Sequence, residues 1–172
     1  MAFAPTIYFR SDAGLKPAPG ADWGPLGPIH SVTFHHSAGP RAKTKAQAQA
    51  LHASYQAQHA EDYRGNDIGY HFSLDDLGRV YRLRPIDEKG THVGGWNTGN
   101  VGIMLHGNYM NDRLNWRQRR TLRWLFRGGF QKLGLPRADQ LLIRGHQEWP
   151  SHNSNACPGT NLQRHVRYLR NH

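Results

Sequence analysis

Asp67-Ile-Gly-Tyr-His-Phe-Ser-Leu74, Asp75-Asp-Leu-Gly78 and Arg79-Val-Tyr-Arg-Leu83 form the stretch that decides the fold. Two runs of β-forming residues flank a turn that ends in glycine, the pattern of a β-hairpin. A hairpin is antiparallel, so a sheet that also receives strands across intervening helices must be mixed. Such strands lie on both sides of it. Upstream, Ile29 to His36 reads as a buried strand, with Ile29, Val32 and Phe34 bounded by Pro28 and Gly39. Downstream, Val101 to His106 is entered through Gly94-Gly-Trp-Asn-Thr-Gly99, and Leu141-Leu-Ile-Arg144 is a further short strand. Helices alternate with these strands. Lys43 to Ala60 is rich in Ala and Gln and free of Pro and Gly. Trp116 to Leu133 sets Leu122, Leu125, Phe126, Gly129 and Leu133 on one face. Arg117, Arg119, Arg120, Arg123 and Arg127 crowd the rest, and Gly134 and Pro136 stop the helix. Asn161 to Leu169 is a basic closing helix. The expected fold is α/β, a central mixed β-sheet flanked by helices in a single domain.

The 172 residues suffice for one well-buried core. Residues 1–28, rich in Pro, Gly and Ala, read as an irregular N-terminal arm laid over the domain through Trp23, and residues 29–172 as the catalytic domain. Met1 to Arg10 holds no continuous apolar signal region. No stretch approaches the about 18 apolar residues of a membrane span. The expectation is a monomer made in the cytoplasm, without membrane insertion. Against 12 acidic residues stand 22 basic ones, a formal net charge of +10. A field of that sign draws polyanions: nucleic acid, anionic membrane or bacterial wall. A nucleic-acid partner is not expected, because interleaved aromatics and the named binding motifs are missing.

Chemistry points to a metal. Cys157, the one cysteine, excludes an internal disulfide and every four-cysteine zinc module. It stands in Gly145-His146-Gln-Glu-Trp-Pro-Ser-His-Asn-Ser-Asn-Ala-Cys157-Pro-Gly159, while Phe34-His35-His36-Ser37-Ala38-Gly39 ends the upstream strand. Two imidazoles and one thiolate from separate elements make a three-ligand zinc site with one open position, which marks hydrolytic rather than structural zinc. Strand alternation allows only one of His35 and His36 to reach such an ion, and spacing does not say which. His152 is a rival ligand, five residues before Cys157. His52 and His59, seven apart on one helix face, read as packing or surface histidines.

The ordered set Phe34-His35-His36-Ser37-Ala38, Gly69-Tyr70-His71-Phe72, Thr91-His92-Val93-Gly94 through Asn97, Val101-Gly-Ile-Met-Leu-His-Gly107, and Gly145-His146 to Cys157-Pro158-Gly159 resembles the N-acetylmuramoyl-L-alanine amidase type 2 family. That family includes short bacteriophage endolysins and the animal peptidoglycan recognition proteins. The resemblance implies that His35, His146 and Cys157 hold one Zn2+ per chain. It makes Tyr70 and Asn155 catalytic, and His92, Trp96 and Asn97 substrate-binding, with His36 and His71 left to packing. The implied reaction is hydrolysis of the amide between N-acetylmuramic acid and L-alanine in bacterial peptidoglycan, by an endolysin that meets the wall after release. Zinc with two neutral imidazoles and a thiolate is singly positive, enough to polarise a carbonyl and acidify water. Tyr70, His92 and Asn155 are the candidate donors to a developing oxyanion.

Two positions depart from the pattern. Asn155 stands where phage relatives often carry lysine and recognition proteins threonine, and an amide cannot supply the lysine's charge. Met104 stands where some bacterial members carry glutamate; a methionine is no base, so Tyr70 should matter more. The alternative is a recognition module that binds peptidoglycan without turnover, against which Cys157 argues, since members that only bind typically lose it. The Arg117–Arg127 face would supply nonspecific attraction to the wall.

Overall fold

The computed structural model describes residues 3–16, 24–62 and 67–172. Its elements run β1 (Ile7–Tyr8), β2 (Ser31–His36), α1 (Lys45–Asp62), β3 (Phe72–Leu74), β4 (Val80–Arg82), β5 (Asn100–Leu105), α2 (Trp116–Trp124), α3 (Phe130–Leu133), β6 (Leu142–Gly145) and α4 (Thr160–Arg170). The strands form one sheet in the order β1-β4-β3-β5-β2-β6. β3 and β4 pair antiparallel, as the hairpin requires, and every other pairing is parallel. The mixed α/β sheet expected from the sequence is therefore present.

Alternation along β2 divides the molecule into layers. Val32 and Phe34 point to one face, in register with Val101 and Ile103 of β5. That face is covered by Leu122 and Leu125 after the start of α2, Phe130 and Leu133 of α3, and Leu162 and Val166 of α4. Phe34 stacks on Phe126 with ring centroids 6.2 Å apart. Each such fully buried side chain contributes about 1.5–3 kcal/mol of transfer free energy. Thr33 and His35 point to the opposite face. There α1 packs through Ala48 and His52, beside a smaller cluster of Ala13, Ala42, Ile68, Tyr81 and Leu83.

Two expectations are corrected. The first residues are not wholly an irregular arm. Ile7 and Tyr8 pair with Val80 and Tyr81, Arg10–Asp12 makes a helical turn, and Ala13 and Leu26 are fully buried. Two ladder residues are too short a run to show a period, yet they cover the open edge of β4. Arg10 then pairs with Asp67 at 2.8 Å. Trp23, through which the arm was expected to dock, lies outside the described residues.

The long helix also breaks. It starts as its residues dictate, in a capping box: Asn115 Oδ1 accepts from the Arg117 and Gln118 N–H groups, and Gln118 Oε1 accepts from the Asn115 N–H. After Trp124 it widens into a π turn, with Arg127 at φ −100° and Gly128 at φ +108°. Only glycine takes that last conformation at low cost. Apolar spacing alone passed over the Gly128-Gly129 pair.

Candidate metal centre

β2 and β6 are parallel neighbours with Phe34 opposite Gly145, so the next residues, His35 and His146, emerge side by side. Their ring centroids are 4.7 Å apart. The loop after Trp149 returns Cys157 to them, with Sγ 3.5 Å from His35 Nδ1. Its backbone is held from both sides: Gln147 N–H donates to the Cys157 carbonyl, and Cys157 N–H donates to Asn155 Oδ1. One donor atom from each of His35, His146 and Cys157 falls within 4.8 Å of the others.

The donor set fits zinc. With usual zinc–nitrogen and zinc–sulfur lengths, a tetrahedral shell has an N···S edge of about 3.6 Å, close to the 3.5 Å observed. Burial, then the neighbouring His92, holds His35 well below the ordinary histidine pKa. Burial, then His152, lowers His146 to about 4. Both rings are therefore neutral near pH 7, with lone pairs to offer. Burial pushes the Cys157 thiol up to about 12, so its thiolate needs a cation beside it, and the two neutral imidazoles supply none.

Two hydrogen-bonded histidine pairs settle which ring nitrogen is free. His92 Nε2 lies 3.0 Å from the Asn100 carbonyl, which can only accept, so His92 carries its proton there. Its Nδ1 must then accept, and it faces His35 Nε2 at 3.1 Å. His35 is left with a bare Nδ1 toward Cys157. The second pair repeats the logic. His152 Nε2 donates to the Gly94 carbonyl at 3.0 Å, and its Nδ1 accepts from His146 Nε2 at 3.1 Å. Such partners fix the orientation and basicity of ligating imidazoles.

These contacts revise several expectations. His92, expected to bind substrate, is 8% exposed and has both ring nitrogens engaged inside the protein. His152, the rival ligand, stands behind His146. Asn97 spends its side-chain oxygen on the backbone N–H groups of His92 and Val93, holding that loop rather than reaching out. Trp96 is 42% exposed at the rim, its ring tilted against that of Trp149 with centroids 5.3 Å apart. Tyr70 lies beside the triad, its ring 5.1 Å from that of His35. Asn155 is exposed and keeps its amide NH2 as a donor while its oxygen accepts from Cys157. His36 accepts from the Tyr109 N–H, and His71 accepts from the Gly102 N–H.

Sequence reasoning missed Thr33, Asn100, Trp149 and Gly102. Trp149 Nε1–H donates to Thr33 Oγ1, whose hydroxyl donates to Asn100 Oδ1, tying the loop of Cys157 to β2 and β5. Thr33 stands two residues before His35, hence on the same face, and that phase was the one available signal. Gly102 lets the His92 ring lie flat on β5, since a Cβ there would sit 2.8 Å from the ring.

The chain matches the family model of N-acetylmuramoyl-L-alanine amidase over residues 25–160. It is 30% identical over 156 residues to peptidoglycan-recognition protein SC1a/b of Drosophila simulans, covering 86% of this chain and 82% of the relative. It is 30% identical over 136 residues to peptidoglycan-recognition protein SC2 of Drosophila melanogaster, covering 79% and 71%. Among solved structures, the complex of peptidoglycan recognition proteins LCa and LCx with tracheal cytotoxin aligns at a TM-score of 0.81 and 25% identity, covering 94% of this chain and 95% of that one. Drosophila peptidoglycan recognition protein SD aligns at 0.82 and 22% identity over 95% and 94%, a likeness of fold.

Proposed function

Because the chain belongs to the N-acetylmuramoyl-L-alanine amidase family, we propose that it binds bacterial peptidoglycan and hydrolyses the amide between N-acetylmuramic acid and L-alanine, with one Zn2+ held by His35, His146 and Cys157. The observation that carries this reading is the convergence of two neutral imidazoles and a thiol within 4.8 Å. When bound there, zinc would polarise the scissile carbonyl and acidify water. The chain's own groups do the rest. His92 and His152 keep Nδ1 of each ligand unprotonated. The Tyr70 hydroxyl and the Asn155 amide donate to the carbonyl oxygen as negative charge builds on it. Met104, fully buried and in register with His35, supplies no base. Trp96, 42% exposed and backed by the buried Trp149, offers the aromatic rim on which a sugar ring can lie. Water adds OH to the carbonyl carbon and a proton to the departing nitrogen, leaving a lactyl carboxylic acid and a free amine on alanine. On a wall this amounts to endolysin-type lysis.

A second reading is recognition without turnover. It is favoured by the names of the relatives and by the tracheal cytotoxin bound in the LCa–LCx complex. One experiment decides between them. Purified murein is incubated with the chain, with the chelated chain, and with Cys157→Ser, while released amino termini and bound zinc are measured. The hydrolase reading requires new alanine amino termini that vanish with chelator and return with zinc, and a large loss of zinc in Cys157→Ser. Binding to murein with no new amino termini at full zinc occupancy would establish the second reading instead.

A further inference from the structure

Two grooves lined by arginine lie on the face of the sheet opposite the triad. The first, about 540 Å³, runs between the break after α2, α4 and the edge strand β6. Arg123, Arg127, Arg137 and Arg170 line it against one acid, Asp139. The second, about 480 Å³, holds Arg113, Arg119 and Arg164 and no acid. Tyr168, 52% exposed, lines both and joins them. Their position follows from register. Ile143, a wall of the first groove, pairs with Val32, which points to the helix layer, whereas His35 points the other way.

The charges there are poorly compensated. Arg137 pairs with Asp139, and Arg170 with Glu148. Arg119 donates to the Leu114 carbonyl and makes no ion pair among the described residues. Arg113, Arg123, Arg127 and Arg164 are exposed and make no ion pair among the described residues. Like charges gathered on one surface repel one another to an extent that salt screens, and an anion among them relieves that repulsion. His165, between the helices, registers that field: burial, then Arg119 and Arg123, lower it to about 4.

We propose that the two grooves form a docking site for a linear phosphodiester polymer of the poly(polyol phosphate) kind, separate from the metal centre. Three features select this occupant. Every cationic side chain on the walls, His165 and His172 apart, is arginine, whose planar fork matches phosphate oxygens two at a time, and none is lysine. Two grooves in series suit a chain carrying anions at intervals better than a single small anion. Tyr168 between them is 52% exposed, and with its ring stacked on His172 at 4.6 Å it leaves its edge and hydroxyl to a hydroxyl-bearing spacer. Docking there would hold the protein to a polyanion while leaving the opposite face free, whether or not that face hydrolyses anything.

The test is binding of the full chain to a fluorescent poly(glycerol phosphate) oligomer, read by anisotropy at several salt concentrations. Arg123→Gln/Arg127→Gln and Arg113→Gln/Arg164→Gln should each weaken binding about tenfold or more. Each should also flatten the log–log salt slope by about 1.4, at about 0.7 for every phosphate that is no longer neutralised. Lys43→Gln/Lys89→Gln removes the same charge elsewhere and should change affinity less than about threefold. Arg123→Lys/Arg127→Lys keeps the charge and loses the fork, so it should fall between. Thermal melts confirm that each variant is folded. Equal loss in the Lys43/Lys89 control, full retention in the lysine variant, or equal binding of polyglutamate at matched charge would each overturn the proposal. Tighter binding of single-stranded oligonucleotide at matched phosphate number would overturn it in favour of nucleic acid.

Discussion

Replacing His92 by asparagine or by glutamine separates the two hydrogen bonds its ring makes. The asparagine amide oxygen reaches about where Nδ1 lies, and the glutamine amide nitrogen about where Nε2 lies. His92→Asn therefore keeps the acceptor for His35 Nε2–H and gives up the donor to the Asn100 carbonyl. His92→Gln does the reverse. A buried group left without its partner costs about 1–3 kcal/mol, so both variants should lose that much stability in the metal-free state, measured by urea unfolding with chelator present. Zinc affinity should distinguish them. Without an acceptor behind Nε2, the His35 proton is free to move to Nδ1, and losing such an orienting partner costs about 10–100-fold in metal affinity. Competition against a chromophoric chelator at fixed pH should show that loss for His92→Gln and less than about a fivefold loss for His92→Asn. Equal losses in the two variants, or wild-type affinity in His92→Gln, would refute the argument that His92 sets the tautomer of His35.

Tyr70→Phe should keep zinc and KM and lower kcat by about 10²–10³; an unchanged rate in steady-state hydrolysis of a soluble muropeptide would move the donor role to Asn155. The metal-free protein should be acid-sensitive, because burial lowers His52 and His71 to about 4 from 6.5. The unfolded chain then binds more protons, so stability is full above pH 6.5 and falls as pH drops toward 4, by roughly 3 kcal/mol for each ring at the lower end. Urea midpoints that stay flat over that range would contradict the buried neutral assignment. Gly102→Ala places a methyl 2.8 Å from the His92 ring, and should cost about 1–3 kcal/mol and weaken zinc binding. Undiminished zinc affinity in a destabilised Gly102→Ala would show that His92 can move without consequence for His35.

What the sequence reveals here depends on what each residue has for a partner. The hairpin, the strand before Ser37 and the convergence of His35, His146 and Cys157 are legible because side chains carry them, in alternation, in periodicity and in the chemistry of His and Cys. Even the choice between His35 and His36 was present in the strand: His36 shares its phase with Val32 and Phe34, which the helix layer covers, and His35 shares its phase with Thr33. It went unread because β2 is buried on both faces, which blunts the contrast that phase depends on. His92 and His152 are a different case. Each relay ends on a backbone carbonyl, of Asn100 and of Gly94, and a carbonyl is present at every position, so no residue type announces it. The arginine grooves are hidden for a third reason. On α2 alone the arginines read as a solvated face, and only when the turn at Gly128 and the packing of α4 bring Arg137, Arg164 and Arg170 beside them does the charge become concentrated. The candidate ligands of a site are thus legible earlier than the groups that orient them. Substitutions at His92, His152 and Gly102 therefore test the structure more sharply than substitutions at the ligands, whose loss any three-ligand reading would anticipate.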